Sequence, residues 1–178
     1  MVQKEDRRLR VGVVGCGPIA QIAHLEACRK ARNAELYAIC DVAPDLRHYA
    51  AAVHTPRVTY ARYEEMLADP QVEAVIVAVS DAFHVPLARQ ALEAGKHVLV
   101  EKPLGTNVPE CEALAEMVRA TGLVLQVGCN RRFDPGIAFA QRFVQEELGP
   151  RISLKAWYHD STERYTMTDN LHPLVRHS

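Results

Sequence analysis

An α/β fold on an open, doubly wound parallel sheet is what this sequence predicts, and three observations predict it. Short apolar, strand-like runs alternate with segments of helical period across residues 9–128. One of these runs, VEAVIVAV at 72–79, is apolar almost throughout, the composition of a parallel strand covered on both faces. The first run, Val11-Gly12-Val13-Val14, leads directly into Gly15-Cys16-Gly17-Pro18-Ile19-Ala20, a turn of the form G-x-G-x-x-G/A. Strand, glycine turn and helix in succession describe a Rossmann-type sheet. Ligands of such sheets bind beyond the C-terminal strand ends, where strand order reverses.

The elements follow in order. At the turn, Gly15 permits backbone angles closed to other residues, Gly17 keeps side-chain atoms away from a pyrophosphate, and Ala20 lets the helix lie close on the strand. Pro18 suits a first helical turn, whose free N–H groups and positive dipole end favour an anion. The helix that follows places Ile19, Ile22, Ala23 and Ala27 at helical spacing, with Arg29, Lys30 and Arg32 near its end. A second strand at 36–40 is closed by Asp41, about 20 residues past the last small position of the turn, as the fingerprint requires. A helix over 45–53, led by Pro44, precedes a short strand at 57–60. A brief helix at 63–67 ends near Asp69-Pro70, because the residue before a proline disfavours helical geometry. After the strand at 72–79 and the loop 80–84 come a helix over 85–94, closed by Gly95, and a strand at 97–100 that ends in Glu101-Lys102-Pro103. A helix at 109–121 with Leu114, Met117 and Val118 on its apolar side, stopped by Gly122, and a strand at 123–127 complete the sheet.

Beyond it, Cys129-Asn130-Arg131-Arg132-Phe133 leads to a helix over 134–148, stopped by Gly149-Pro150. Residues 151–159 alternate, Ile152, Leu154, Ala156 and Tyr158 against Ser153, Lys155 and Trp157, as a strand of a different sheet does. The expected division is a dinucleotide-binding domain over 1–128 and the beginning of a second, incomplete domain over 129–178. A lone strand leaves its N–H and C=O groups unpaired. Residues after Gly149 are therefore expected to be poorly ordered, or ordered only against another chain through 151–160.

Composition narrows the function classes. The chain has 178 residues, a net charge of −1 and 48% hydrophobic residues, which gives no electrostatic argument for nucleic acid or an anionic membrane. No apolar run approaches the roughly 20 residues of a membrane-spanning helix, and the charged start MVQKEDRRLR lacks the apolar region of a signal peptide. The cysteines at 16, 28, 40, 111 and 129 form no C-x-x-C pair. They read as small hydrophobes in a reducing cytoplasm, with no metal site.

Gly15, Cys16, Gly17, Asp41, Ser80, His84, Glu101, Lys102 and Pro103 all fall at C-terminal strand ends and are expected to meet in one crevice. Asp41 is the ribose selector: a carboxylate there accepts from both ribose hydroxyls and repels a 2′-phosphate, and Val42 and Ala43 bring no cation for one. This favours NAD over NADP. A plain strand-end Asp that caps the next helix is the alternative. Lys102 is the catalytic candidate. Placed in the ligand crevice and partly desolvated beside a cationic nicotinamide, a lysine shares the proton of a substrate hydroxyl while hydride leaves the same carbon. Glu101 holds or tunes it, and Pro103 stiffens the loop. A solvated loop lysine is the competing reading. His84 either touches the cofactor or serves as a cap or packing group.

With these residues in view, the chain resembles the Gfo/Idh/MocA family of NAD(P)-dependent oxidoreductases. The resemblance rests on Gly15-Cys16-Gly17-Pro18-Ile19-Ala20, on the region from Tyr63-Glu64-Glu65-Met66-Leu67 to Ile76-Val77-Ala78, and on His84-Val85-Pro86-Leu87. Most specific is Ala94-Gly95-Lys96-His97-Val98-Leu99-Val100-Glu101-Lys102-Pro103-Leu104; Asn130-Arg131-Arg132-Phe133 and Leu148-Gly149-Pro150 also fit. The resemblance implies a Rossmann domain followed by a domain whose sheet holds the substrate and forms the oligomer interface. It implies hydride transfer at a sugar, polyol or related carbinol, with Lys102 catalytic and Asn130 and Arg131 on the substrate side. It also marks a departure. Family members run to roughly twice this length and carry Asp and His at i, i+4 on one helix face. Here only Asp169-Asn170-Leu171-His172 comes near that pattern, spaced by three and followed by Pro173. The chain thus reads as truncated, and a non-catalytic dinucleotide-binding module or an inactive fragment stays open beside the dehydrogenase.

Overall fold

The computed structural model of the chain describes residues 7–150 together with Ser153, Lys155 and Trp157. Most of the strand expected over 151–159, and the Asp169–His172 pair, lie outside the described residues. The chain divides into two compact units, the first running through Gly128 and the second beginning at Cys129.

The first unit is built on six parallel strands: β1 Leu9–Val14, β2 Ala34–Cys40, β3 Val58–Tyr60, β4 Ala74–Val77, β5 His97–Val100 and β6 Leu125–Val127. Their order is β3-β2-β1-β4-β5-β6, so the chain reverses its direction of travel across the sheet between β1 and β4. The helices are α1 Leu25–Lys30, α2 Pro44–His54, α3 Tyr63–Ala68, α4 His84–Glu93 and α5 Val108–Thr121. Two cores confirm the double winding. Val11, Val13 and Ile39 on one face of the sheet pack with Leu25, Cys28 and Ala50 of α1 and α2. Val75, Val77, Val98 and Val100 on the other face pack with Met66, Ala88, Leu92 and Leu114 of α3, α4 and α5. β4 is buried at all four positions, as its unbroken apolar run requires, and is shorter than the run 72–79.

The first helix departs from expectation. A π-turn at Ala20–His24 precedes α1, and the Leu25 N–H bonds to the Ala20 carbonyl five residues back. The wider turn brings Ala20, Leu25 and Cys28 onto the core. The stripe expected from a 3.6 period faces out instead: Ile19 is 40% and Ile22 76% exposed.

In the second unit a short 3₁₀ turn, Asn130–Phe133, leads to helix α6, Pro135–Glu146. Asp134 caps α6, its Oδ1 accepting from the N–H groups of Gly136 (2.8 Å) and Ile137 (3.1 Å). Phe139 and Phe143 stack one turn apart on α6, with ring centroids 6.1 Å apart. No helix among the described residues is long and apolar enough to cross a membrane.

Candidate functional site

At the C-terminal ends of β1, β2 and β4, beside the strand-order reversal, lies a cavity of about 520 Å³. Gly15, Gly17, Pro18, Ile19, Asp41 and Ser80 line it, joined by Val42 and Leu46 at one end and Val79, Asp81 and Phe83 at the other.

The glycine turn is shaped by contact. Gly15 has φ +90°, and a Cβ there would stand 2.3 Å from the carbonyl oxygen of Ala78, so no side chain fits between β1 and β4. Cys16 and Ala20 do not line the cavity; both are fully buried beneath it. Burial above all, and then the Asp41 charge, push the Cys16 thiol up to about 12. Cys16 therefore contributes its backbone: its N–H donates to Asp41 Oδ2 at 2.6 Å.

Asp41 ties two elements together. Its Oδ1 accepts from the N–H of Ala43, the residue just before α2, at 2.8 Å, while Oδ2 holds the glycine turn. Each carboxylate oxygen keeps a further lone pair for a ligand hydroxyl. The capping alternative and the ligand role are thus compatible at one side chain. The sequence reading missed Arg47, whose guanidinium donates to the Asp41 carbonyl at 2.6 Å. The signal was available: Arg47 sits one turn into the helix led by Pro44, beside Leu46, which lines the cavity.

The Glu101-Lys102-Pro103 segment does not line this cavity, nor does His84. Lys102 is exposed, so the partial desolvation anticipated from sequence is not supplied by this unit. Its neighbours are fixed. Glu101 Oε1 lies 2.8 Å from His24 Nε2, and Oε2 accepts from the Lys102 N–H at 3.1 Å. His24, a second residue that the sequence reading missed, belongs to the π-turn. His84 is wholly buried and caps nothing through its side chain; its ring faces the carbonyls of Pro103 and Val79. Asn130 and Arg131 are exposed on the 3₁₀ turn of the second unit. Among the described residues no group of three or more His, Cys, Asp or Glu is placed to hold a metal ion.

Comparisons with known proteins agree with this geometry. Residues 9–129 match the Gfo/Idh/MocA family model, described as an oxidoreductase family with an NAD-binding Rossmann fold. An inositol 2-dehydrogenase/D-chiro-inositol 3-dehydrogenase of Shouchella clausii is 37% identical over 174 residues, covering 92% of this chain and 50% of that protein. A myo-inositol 2-dehydrogenase of Thermotoga maritima is 37% identical over 127 residues, 71% of this chain and 37% of that protein. Among solved structures, scyllo-inositol dehydrogenase from Lactobacillus casei with bound NAD(H) and scyllo-inositol superposes with a TM-score of 0.75 at 28% identity, over 80% of this chain and 43% of that one. A variant of KijD10, a 3-ketoreductase from Actinomadura kijaniata in complex with TDP-benzene and NADP, gives 0.74 at 29% identity, over 82% and 46%. The chain spans about half the length, or less, of the curated relatives it matches. By its fold, its glycine turn and the family match over 9–129, this chain belongs to the Gfo/Idh/MocA family of NAD-binding oxidoreductases.

Proposed function

We propose that the chain carries the cofactor-binding part of an NAD-dependent dehydrogenase acting on a sugar, polyol or related carbinol. The observation that carries this reading is the convergence of the glycine turn and the Asp41 carboxylate on one cavity at the strand-order reversal. The residues fit a dinucleotide. No side chain can stand at Gly15, the helix opened by Pro18 offers free N–H groups to a pyrophosphate, and Asp41 retains acceptor capacity for ribose hydroxyls. Val42 and Leu46 give an apolar end suited to the adenine. A nicotinamide bound here would supply the hydride acceptor for a carbinol carbon. Lys102, in its neutral amine form, would accept a hydrogen bond from the carbinol hydroxyl and take up its proton at Nζ. Asn130 and Arg131 are substrate-side residues of the second unit, which we assign to substrate binding and oligomer contacts. Dehydrogenases of inositol among the relatives support a polyol.

NAD is preferred over NADP because the Asp41 carboxylate repels a 2′-phosphate, and Arg47 is engaged on the Asp41 carbonyl. Fluorescence titrations with NADH and NADPH test this. NADH is expected to bind tighter, and Asp41→Ser to narrow the gap; equal or tighter NADPH binding by the unmodified chain rejects the assignment. An absorbance assay over a polyol and sugar panel tests turnover. Lys102→Met is expected to lower it by about 10²–10⁴-fold with NADH affinity held within a few-fold. Binding without turnover in the unmodified chain would favour a non-catalytic dinucleotide-binding module.

A further inference from the structure

Lys102 stands between two residues that are each held by a histidine. On one flank His24 Nε2 lies 2.8 Å from Glu101 Oε1, and both side chains are largely buried, at 12% and 14% exposed. Glu101 Oε2 turns back to accept the Lys102 N–H. Gly128 makes room for that carboxylate: a Cβ there would meet Glu101 Oε1 at 3.2 Å. On the other flank His84 Nδ1 lies 2.6 Å from the Pro103 carbonyl oxygen, and Nε2 lies 3.0 Å from that of Val79. Val79 is part of the cavity wall. A neutral imidazole has one N–H to give to these two carbonyls, and the shorter contact assigns it to Nδ1.

A fully buried imidazole is a costly way to fill space unless its polar atoms are used. Here the ring neither caps α4 nor lines the cavity. Its Nδ1–H holds the loop that carries Lys102, while Nε2 lies beside the Val79 carbonyl of the cavity wall. We propose that His84 is a positioning residue for Lys102, with His24 its counterpart on the other flank. Together they fix the backbone on both sides of the lysine and leave its side chain free to reach a ligand. The proposal rests on the reading of Lys102 given above.

Two amide substitutions separate the contacts of the ring. His84→Asn puts an amide nitrogen near the place of Nδ1 and keeps a donor for Pro103. His84→Gln puts one near Nε2, facing Val79, and leaves Pro103 without a donor. Hydrogen exchange at the amides of residues 101–105 is read in the cofactor-free chain. The ¹³C signal of reductively methylated Lys102, identified by its loss in Lys102→Met, is read on addition of NAD⁺. His84→Asn is expected to match the unmodified chain in both. His84→Gln is expected to exchange about tenfold faster, the effect of losing one hydrogen bond, and to lose most of the NAD⁺-induced shift. NADH affinity should change less than a few-fold in either variant. Equal behaviour of the two variants overturns the proposal. So does a parallel loss of NADH binding, which would make His84 a support of the cavity. If NAD⁺ leaves the Lys102 signal unmoved in an unmodified chain that binds NADH, the reading of Lys102 fails while the exchange comparison still decides the clamp. Should both buried-site variants fail to fold, His24→Leu takes their place: faster exchange at the Lys102 amide supports the brace, and unchanged exchange overturns it.

Discussion

Cys16 shows how one position in the glycine turn is divided between backbone and side chain. Its N–H serves Asp41, while its thiol is sealed beneath the cavity and pushed up to about 12. Burial likewise raises Cys28 to about 11, and burial with the Asp41 charge raises Cys40 to about 12. A thiol alkylates through its thiolate, so a raised value means slow reaction until pH climbs toward it. At pH 8 iodoacetamide is expected to label exposed Cys129 and leave Cys16, Cys28 and Cys40 unmodified in the native chain, as read by peptide mass spectrometry. Labelling of Cys16 at a rate near that of Cys129 would mean that the turn opens in solution. NADH is expected to leave Cys129 labelling unchanged.

At the scale of elements, the π-turn decides which face of the first helix is core. The bond from Leu25 to Ala20 rotates the apolar stripe so that Leu25 is buried and Ile22 is left outside. The same turn carries Gln21, whose amide donates to the Cys16 carbonyl at 2.7 Å, and His24, which reaches Glu101. A regular helix would put the two groups at other angles, so the wider turn is what links the glycine turn to the lysine loop. Urea denaturation separates the two registers. Ile22→Lys is expected to change stability by no more than about 0.5 kcal/mol. Leu25→Ala is expected to cost about 2–5 kcal/mol, the usual loss for a truncated core leucine. The reverse ranking would restore the stripe expected from the 3.6 period.

For the whole molecule, the first unit closes its own core. Helices cover both faces of the sheet, and the cavity is lined entirely from residues before His84. A chain ending at Gly128 is therefore expected to unfold cooperatively and to bind NADH within a few-fold of the full chain, checked by circular dichroism and fluorescence titration. Loss of either would make the second unit part of the cofactor site and reject the assignment of domains at 128/129.

The sequence by itself determined the parallel α/β class, the glycine turn, Asp41 at the end of the second strand and Glu101-Lys102-Pro103 at the end of the fifth. These are local: period, punctuation by glycine and proline, and spacing along the chain carry them. Only the tertiary structure decided the π register of the first helix, because a one-residue widening leaves no mark on apolar periodicity. It alone brought Arg47 to the carbonyl of Asp41, and it alone set His24 against Glu101 and His84 against Pro103, contacts 77 and 19 residues apart in the chain. It also left Lys102 exposed where a crevice had been expected to shelter it. Partners so distant are chosen by how helices pack across a sheet, and desolvation by what covers a loop. Neither quantity is written in the order of residues.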